Sequence, residues 1–295
     1  MGPDGRLSAM SIARLYGSGR PVFSFEFFPP KTDTGYESLY QTVIDLKRLN
    51  PDFVSVTWGA GGSTRRKTVE IVARIQRDIG VTAMAHLSCI GSTPEQIEQT
   101  LAELAEARVE NVLALGGDRP EGYEPPPGAF TYASELAAFI RSTRFDFCIG
   151  GACYPETHPL AASPEVDLEN LKRKVDAGVE FLITQLFFDN RDFFDFCDRA
   201  LAVGIDVPIV AGIMPILSAQ SIRRMTSLSG AKLPPALEAK LAEVGNDDAL
   251  THDIGVEWAT MQCRELLEHG VPGIHFYTLN KSQATRNIFQ NLLAT

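Results

Sequence analysis

PVFSFEFF (21–28) alternates phenylalanines at 23, 25 and 27 with Ser24 and Glu26. A period of two places the phenylalanines on one face of a strand, and the serine and the carboxylate on the other. Seven further apolar runs recur: DFVSVTW (52–58), TAMAHLSC (82–89), VENVLALGG (109–117), FDFCIGGACY (145–154), FLITQLFF (181–188), PIVAGIMP (208–215) and GIHFYTLN (273–280). Segments of helical period lie between them, such as ESLYQTVIDLKRL (37–49) and TPEQIEQTLAELAEA (93–107). Strands alternating with helices imply a parallel sheet with crossover connections. Eight such units favour an α/β fold closed into a (β/α)8 TIM barrel over an open doubly wound sheet. In a barrel the phenylalanines of the first run pack under the helices, and Ser24 and Glu26 point inward.

The chain has 295 residues, 44% of them hydrophobic, which suits one large core. The expected organisation is a single catalytic barrel domain over 1–295, with 1–20 as an N-terminal helical extension. A net charge of -10 argues against nucleic acid and against an anionic membrane surface as partners. The five cysteines are odd in number and form no CxxC pair, as expected of reduced thiols in a cytoplasmic protein. No signal-peptide run opens the chain, and no stretch approaches the length of a membrane span.

Local signals mark the helix ends. Ser92 or Thr93 can cap the helix that follows, with Glu95 and Gln96 nearby for a capping box. Gly80, Gly178, Gly204 and Gly270 sit where left-handed C-caps are expected. The longest interval, 216–272, is expected to hold an extra helix over PPALEAKLAEV (234–244). RPEGYEPPPGAF (119–130) is expected to be a long loop.

Catalytic groups of a barrel gather at the C-terminal ends of its strands. Glu26 falls there. Burial among aromatics should raise its pKa, which suits a general acid. A structural ion pair with an arginine or lysine is an equal alternative on parity alone. Thr57, His86, Asp118, Tyr154, His158 and Gln185 occupy corresponding places on the second to sixth strands. Each alone could be structural; six consecutive strands ending in polar groups are costly to bury without a purpose. Asp167, Asn170 and Lys174, spaced i, i+3, i+7 and bordered by Arg173, share one helical face that could hold hydroxyls or phosphates, or simply be solvated. No GxGxxG follows a strand, no P-loop or GxSxG is present, and no metal-ligand spacing appears; His252, His269 and His275 are dispersed.

These segments together resemble the methylenetetrahydrofolate reductase family. The match runs through FSFEFFPPK (23–31), VSVTWGAGGSTR (54–65), AHLSCI (85–90), LGGDRP (115–120), YPETHP (154–159), DLENLKRKVDAG (167–178), ITQLFFD (183–189), GIMPI (212–216) and HFYTLN (275–280). The resemblance implies a flavin barrel that binds FAD without a Rossmann motif. It implies reduction of 5,10-methylenetetrahydrofolate to 5-methyltetrahydrofolate by NADH or NADPH, or the reverse reaction in one-carbon catabolism. It makes Glu26 the acid that protonates the bridging nitrogen of the folate, and Asp118 the carboxylate that stabilises the resulting cation. It assigns FAD contacts to Thr57, Trp58, Ala60, His86, Gly117, Asp118, Tyr132, Ala133, Tyr154, His158, Ala161, Asp167, Asn170, Arg173 and Lys174, with the last two at the pyrophosphate or nearby polar groups. Substrate contacts fall on Glu26, Thr57, Asp118, Gln185, Ser221, Met225 and Lys281. It further implies a homo-oligomer.

Two positions depart from the family pattern. Gly116 stands where many relatives carry an arginine, and Met225 where some bacterial relatives carry a phenylalanine. The matched region ends with the barrel, so control through a regulatory C-terminal domain is not expected. The competing readings are a related FAD-barrel oxidoreductase of the proline dehydrogenase type, a cofactor-free lyase or aldolase, and a folate- or flavin-binding protein with little turnover. Lysines are scarce at the strand ends, which speaks against a Schiff-base aldolase.

Overall fold

The eighth run closes on the first. In the computed structural model, which describes residues 11–58, 65–118 and 122–293, β8 (Gly273–Tyr277) pairs in parallel with β1 (Val22–Phe27), with Ser24 opposite His275 and Glu26 opposite Tyr277. Between them β2 (Phe53–Val56), β3 (Ala83–Ser88), β4 (Asn111–Leu115), β5 (Cys148–Cys153), β6 (Phe181–Thr184) and β7 (Ile209–Ile213) follow in chain order, completing a closed barrel. The TIM-barrel expectation is therefore met.

The helices form the outer layer: α1 (Asp33–Lys47), α2 (Arg65–Arg74), α3 (Pro94–Glu106), α4 (Ala133–Ser142), α5 (Pro164–Asp176), α6 (Asn190–Ala202), α7 (Ala219–Ser229), α8 (Pro235–Val244), α9 (Asp248–Glu268) and α10 (Gln283–Leu293). Strand parity builds the core between the two layers. Phe25 and Phe27 of β1, Val54 and Val56 of β2, and Ala85 and Leu87 of β3 face outward into one cluster with Leu39, Val43 and Leu46 of α1 and Leu101 and Leu104 of α3. Each buried large side chain contributes roughly 1.5–3 kcal/mol of transfer free energy. Phe25 also packs on Phe289 of α10, with ring centroids 5.6 Å apart.

Capping follows the local chemistry. Thr93, not Ser92, caps α3, in a reciprocal box with Gln96. Interval 216–272 is richer than expected. It holds α8 at the expected place and also the 21-residue α9, whose buried face includes Thr251, Val256, Ala259, Cys263 and Leu266. Residues 122–132 form neither helix nor strand, as expected of the loop; 119–121 lie outside the described residues.

The barrel interior divides into two halves. At the N-terminal ends of the strands, Val22, Phe53, Met84, Leu113, Cys148, Phe181, Ile183 and Val210 form an apolar floor. Gly150 makes room for it, because a Cβ there would lie 2.6 Å from the Phe181 ring. A 3-10 helix, Ile12–Gly17, plugs the floor from below. Ile12 is fully buried in the same cluster, its N–H donating to Asn111 Oδ1 at 3.0 Å. The Tyr16 ring lies 5.4 Å from that of Phe181. This turn is the described part of the expected helical extension; residues 1–10 lie outside it. Among the described residues no helix is long and apolar enough to cross a membrane.

Candidate active site

Continuing the same inward parity upward brings polar side chains into the C-terminal half: Ser24 and Glu26 from β1, Ser55 from β2, His86 and Ser88 from β3, and His275 and Tyr277 from β8. Ser24, Glu26, Ser55, His86 and His275 make one connected network. Glu26 Oε2 lies 3.3 Å from His86 Nε2 and 3.4 Å from His275 Nε2. The other nitrogen of His275, Nδ1, lies 2.7 Å from Ser24 Oγ, and Ser55 Oγ is 3.4 Å from Nε2. The His86 contact is an ion-pair approach, not an aligned hydrogen bond, since His86 Nε2 has no hydrogen-bond partner among the described residues. The His275 ring is fully buried; the Glu26 side chain keeps 18% of its exposure, toward the mouth.

This network corrects the charge expected for Glu26. Burial is the largest single influence and pushes the carboxyl up. The charge of His86, the hydrogen bond from His275, and the lesser contributions of the same two rings outweigh it together. Glu26 is held at about 2. It is therefore a carboxylate between two imidazoles and not a protonated acid in an apolar pocket, and among the described residues no arginine or lysine pairs with it. A neutral His275 with its proton on Nε2 donates to Glu26 and accepts from Ser24; the protonated ring donates to both.

The rim carries most of the other expected residues. Thr57 and Trp58 follow β2; the Thr57 N–H donates to the Phe27 carbonyl at 2.8 Å, and the buried Trp58 Nε1 has no partner among the described residues. Gly117 and Asp118 follow β4 and are exposed. Gly117 has φ +84°, and a Cβ there would overlap Ser88 Oγ, so only glycine suits this turn. Gly116, in contrast, faces open space, so packing does not demand its glycine. Tyr132 is 64% exposed and Leu160 89% exposed, two large apolar side chains uncovered on the rim. Ala133 begins α4, and the Ala161 N–H donates to the His158 carbonyl at 2.9 Å.

Tyr154 and His158 pack edge to face, with centroids 4.4 Å apart. Burial, reinforced by the charges of Asp118 and Asp167, pushes the Tyr154 hydroxyl up to about 12. Burial lowers His158 against the pull of Asp167. Asp167 anchors this turn by accepting the His158 N–H at 2.8 Å. Lys174 turns inward, donating to the Ala152 carbonyl at 2.6 Å, and burial lowers its pKa. Asn170 and Arg173 turn outward, with a guanidinium–amide bond of 3.1 Å between them. The expected shared helical face is thus split. Asp167 and Lys174 join the rim, while Asn170 and Arg173 meet solvent.

Gln185 follows β6, its side-chain oxygen accepting the N–H of Leu186 at 2.8 Å. Met225 packs half-buried against the apolar cluster of Leu186, Met214 and Ile222. Ser221 completes the capping box of α7, its hydroxyl donating to the Ser218 carbonyl at 2.9 Å. Lys281 is exposed, on a turn tied to the end of β1: the Thr278 hydroxyl donates to the Glu26 carbonyl at 2.6 Å and Asn280 Nδ2 to the Phe28 carbonyl at 2.8 Å. Ala60 lies outside the described residues. Sequence reasoning overlooked His275, Ser55 and Tyr277 as site residues. The usable signal was the alternation in GIHFY together with the closure of the eighth strand on the first.

The chain is similar to known proteins over nearly its whole length. The family model of methylenetetrahydrofolate reductase matches residues 11–293. The chain is 37% identical over 275 residues to 5,10-methylenetetrahydrofolate reductase of Escherichia coli, covering 93% of this chain and 91% of that one. It is 40% identical over 294 residues to methylenetetrahydrofolate reductase (NADH) 1 of Arabidopsis thaliana, covering 95% of this chain and 50% of that one. The chain thus spans about half the length of the plant relative. A Clostridium thermocellum protein, whose structure is described as binding two copies of 5-methyl-5,6,7,8-tetrahydrofolic acid, shares the fold at a TM-score of 0.67 and 14% identity, covering 97% of this chain and 99% of that one.

Proposed function

We propose, for a chain that belongs to the methylenetetrahydrofolate reductase family, that it reduces 5,10-methylenetetrahydrofolate to 5-methyltetrahydrofolate with FAD as its cofactor and NADH or NADPH as electron donor. The observation that carries this reading is the carboxylate of Glu26, flanked by two imidazoles inside the polar mouth of the barrel.

The residues of the rim fit FAD. Tyr132 and Leu160 offer uncovered apolar surface to a large planar ligand. Gly117 keeps the turn beside Asp118 free of side chain. His158, Asp167 and Lys174 would hold its polar parts, with Thr57, Trp58 and Tyr154 lining the way in. When bound, FAD supplies hydride transfer, from nicotinamide in one half-reaction and to the folate in the other.

The chain's own residues manage the proton. Glu26, ionised at rest, would pass a proton to the bridging nitrogen of the folate as that nitrogen becomes basic, and the five-membered ring opens to a cation. The proton would come from a flanking imidazole in its protonated form, which ends the step neutral; His275 is the better aligned donor, with Ser24 steadying its far nitrogen. Asp118, exposed at the mouth, would stabilise the cation electrostatically. Gln185 would hydrogen-bond the pterin through the amide nitrogen, which its contact with Leu186 leaves available. Lys281 would meet an acidic part of the folate. A protein of the same fold, from Clostridium thermocellum, is described as binding a methyltetrahydrofolate. The same reading carries a cytoplasmic homo-oligomer, which sedimentation at micromolar concentration tests.

The decisive experiment separates the half-reactions. The anaerobic, FAD-loaded protein should lose its flavin absorbance on addition of NADH or NADPH and regain it on addition of methylenetetrahydrofolate. Bleaching without folate-dependent recovery sinks the proposal. Running both nucleotides decides the donor.

A further inference from the structure

Tyr277 ends β8 on the inner face and is half-buried, yet the network around Glu26 does not use its hydroxyl. That hydroxyl reaches across the barrel instead, donating to the Thr184 carbonyl at 2.5 Å. Pairing between β6 and β7 ends at Ile183 and Val210, so the Thr184 carbonyl lies just beyond the ladder. The N–H of Gly212, which might have continued the ladder, goes to Thr184 Oγ1 at 2.9 Å. Gly212 is what lets Tyr277 pass. A Cβ there would overlap the Thr184 carbonyl oxygen and come within 2.7 Å of the tyrosine hydroxyl.

The residue after Thr184 is Gln185. Its N–H donates to the Cys153 carbonyl at 2.7 Å, so the Gln185 backbone is held from β5 on one side and, through Thr184, from β8 on the other. The same tyrosine ring meets the His275 ring edge to face, with centroids 5.5 Å apart. One side chain therefore touches both the imidazole that serves Glu26 and the strand end that carries Gln185.

We infer that Tyr277 is a positioning residue: through the Thr184 carbonyl it sets the place of Gln185 relative to the Glu26–His275 pair, so that the amide and the proton donor meet one substrate at a fixed spacing. The inference rests on the folate reading of this site. A contact onto the carbonyl of the fully buried Thr184 acts in this way because that carbonyl has no water to turn to if the donor is lost.

The test begins with Tyr277→Phe, which removes the hydroxyl and leaves the ring against His275. The expected outcome is a KM for methylenetetrahydrofolate raised about tenfold, the equivalent of one hydrogen bond. The pH profile of the folate half-reaction should not move. In a Gln185→Ala background the same change should alter KM by less than about twofold, since the effect runs through Gln185. Replacing Tyr277 by p-aminophenylalanine, whose amine can donate to the same carbonyl, should restore KM; it also serves if the phenylalanine variant does not fold. An unchanged KM, or an equal tenfold loss in both backgrounds, overturns the inference. Hydrogen-exchange mass spectrometry reads the contact without substrate. The peptide spanning 183–188 should exchange about tenfold faster in Tyr277→Phe, and unchanged exchange overturns the inference even if the wild type proves inactive on folate. An inactive wild type with the expected exchange change sinks the functional reading alone.

Discussion

The floor and the mouth of this barrel are built from the same strands with the same inward parity, and they have opposite chemistry. The floor packs Val22, Phe53, Met84, Leu113 and Phe181 against the N-terminal turn. Two residues further along β1, β2, β3 and β8 stand Ser24, Ser55, His86 and His275, followed by Glu26 and Tyr277. The contrast shows a division of labour along β1, β2 and β3. The first inward position holds the barrel together, and the later ones hold charge and protons.

That contrast can be broken from either side. The largest expected effect is at the mouth. Glu26→Gln should slow the folate half-reaction by roughly 10³-fold, within the range for loss of a general acid. Flavin reduction by NADH or NADPH should change by no more than a few-fold. Stopped-flow absorbance reads both, and equal losses would remove Glu26 from the proton path. On the floor, Phe181→Ala should cost about 4 kcal/mol of stability, as lost transfer energy plus a cavity. The kinetic constants of the remaining folded enzyme should stay as they were. A denaturant titration beside a KM measurement checks this; an altered KM would mean that floor and mouth are coupled.

A third prediction sharpens the contrast through pH. The folded pKa of Glu26, about 2, lies below its ordinary value of 4.5. Its stabilisation is therefore present above about pH 4.5 and is lost as the pH falls toward 2, an amount on the order of 3 kcal/mol. The stability difference between wild type and Glu26→Gln should shrink across that window in urea titrations at pH 5, 4 and 3. A constant difference would mean that the two imidazoles do not hold the carboxylate ionised. The smallest effect is expected at the plug. Asn111→Ala leaves the buried Ile12 N–H without the acceptor seen at 3.0 Å and should cost about 1–2 kcal/mol. A lowered melting temperature with unchanged turnover is the expected result.

The alternation in FSFEF and in seven later runs made the barrel and the inward face of Glu26 legible, because period two is a local property. The Thr93–Gln96 box and the left-handed glycines were legible for the same reason. The charge state of Glu26 was not. It depends on His86, on the third strand, and on His275, 249 residues away, and only closure of β8 on β1 brings them together. The same limit hid the divided face of α5. Helical spacing puts Asp167, Asn170 and Lys174 on one side of a cylinder. Whether a given side chain meets the rim or the solvent depends on the neighbouring strand, whose Ala152 carbonyl takes the Lys174 ammonium. Ser221 illustrates a third case, in which a hydroxyl at a matching position is already engaged in closing a helix end.

The turn at Ile12–Gly17 closes the floor end of the barrel, opposite Glu26. With the far end closed by Ile12 and Tyr16, whatever enters over Glu26 must leave the way it came. On the reading proposed above, nucleotide and folate would share that approach. A chain that seals its own basement thereby sends its traffic to the other end.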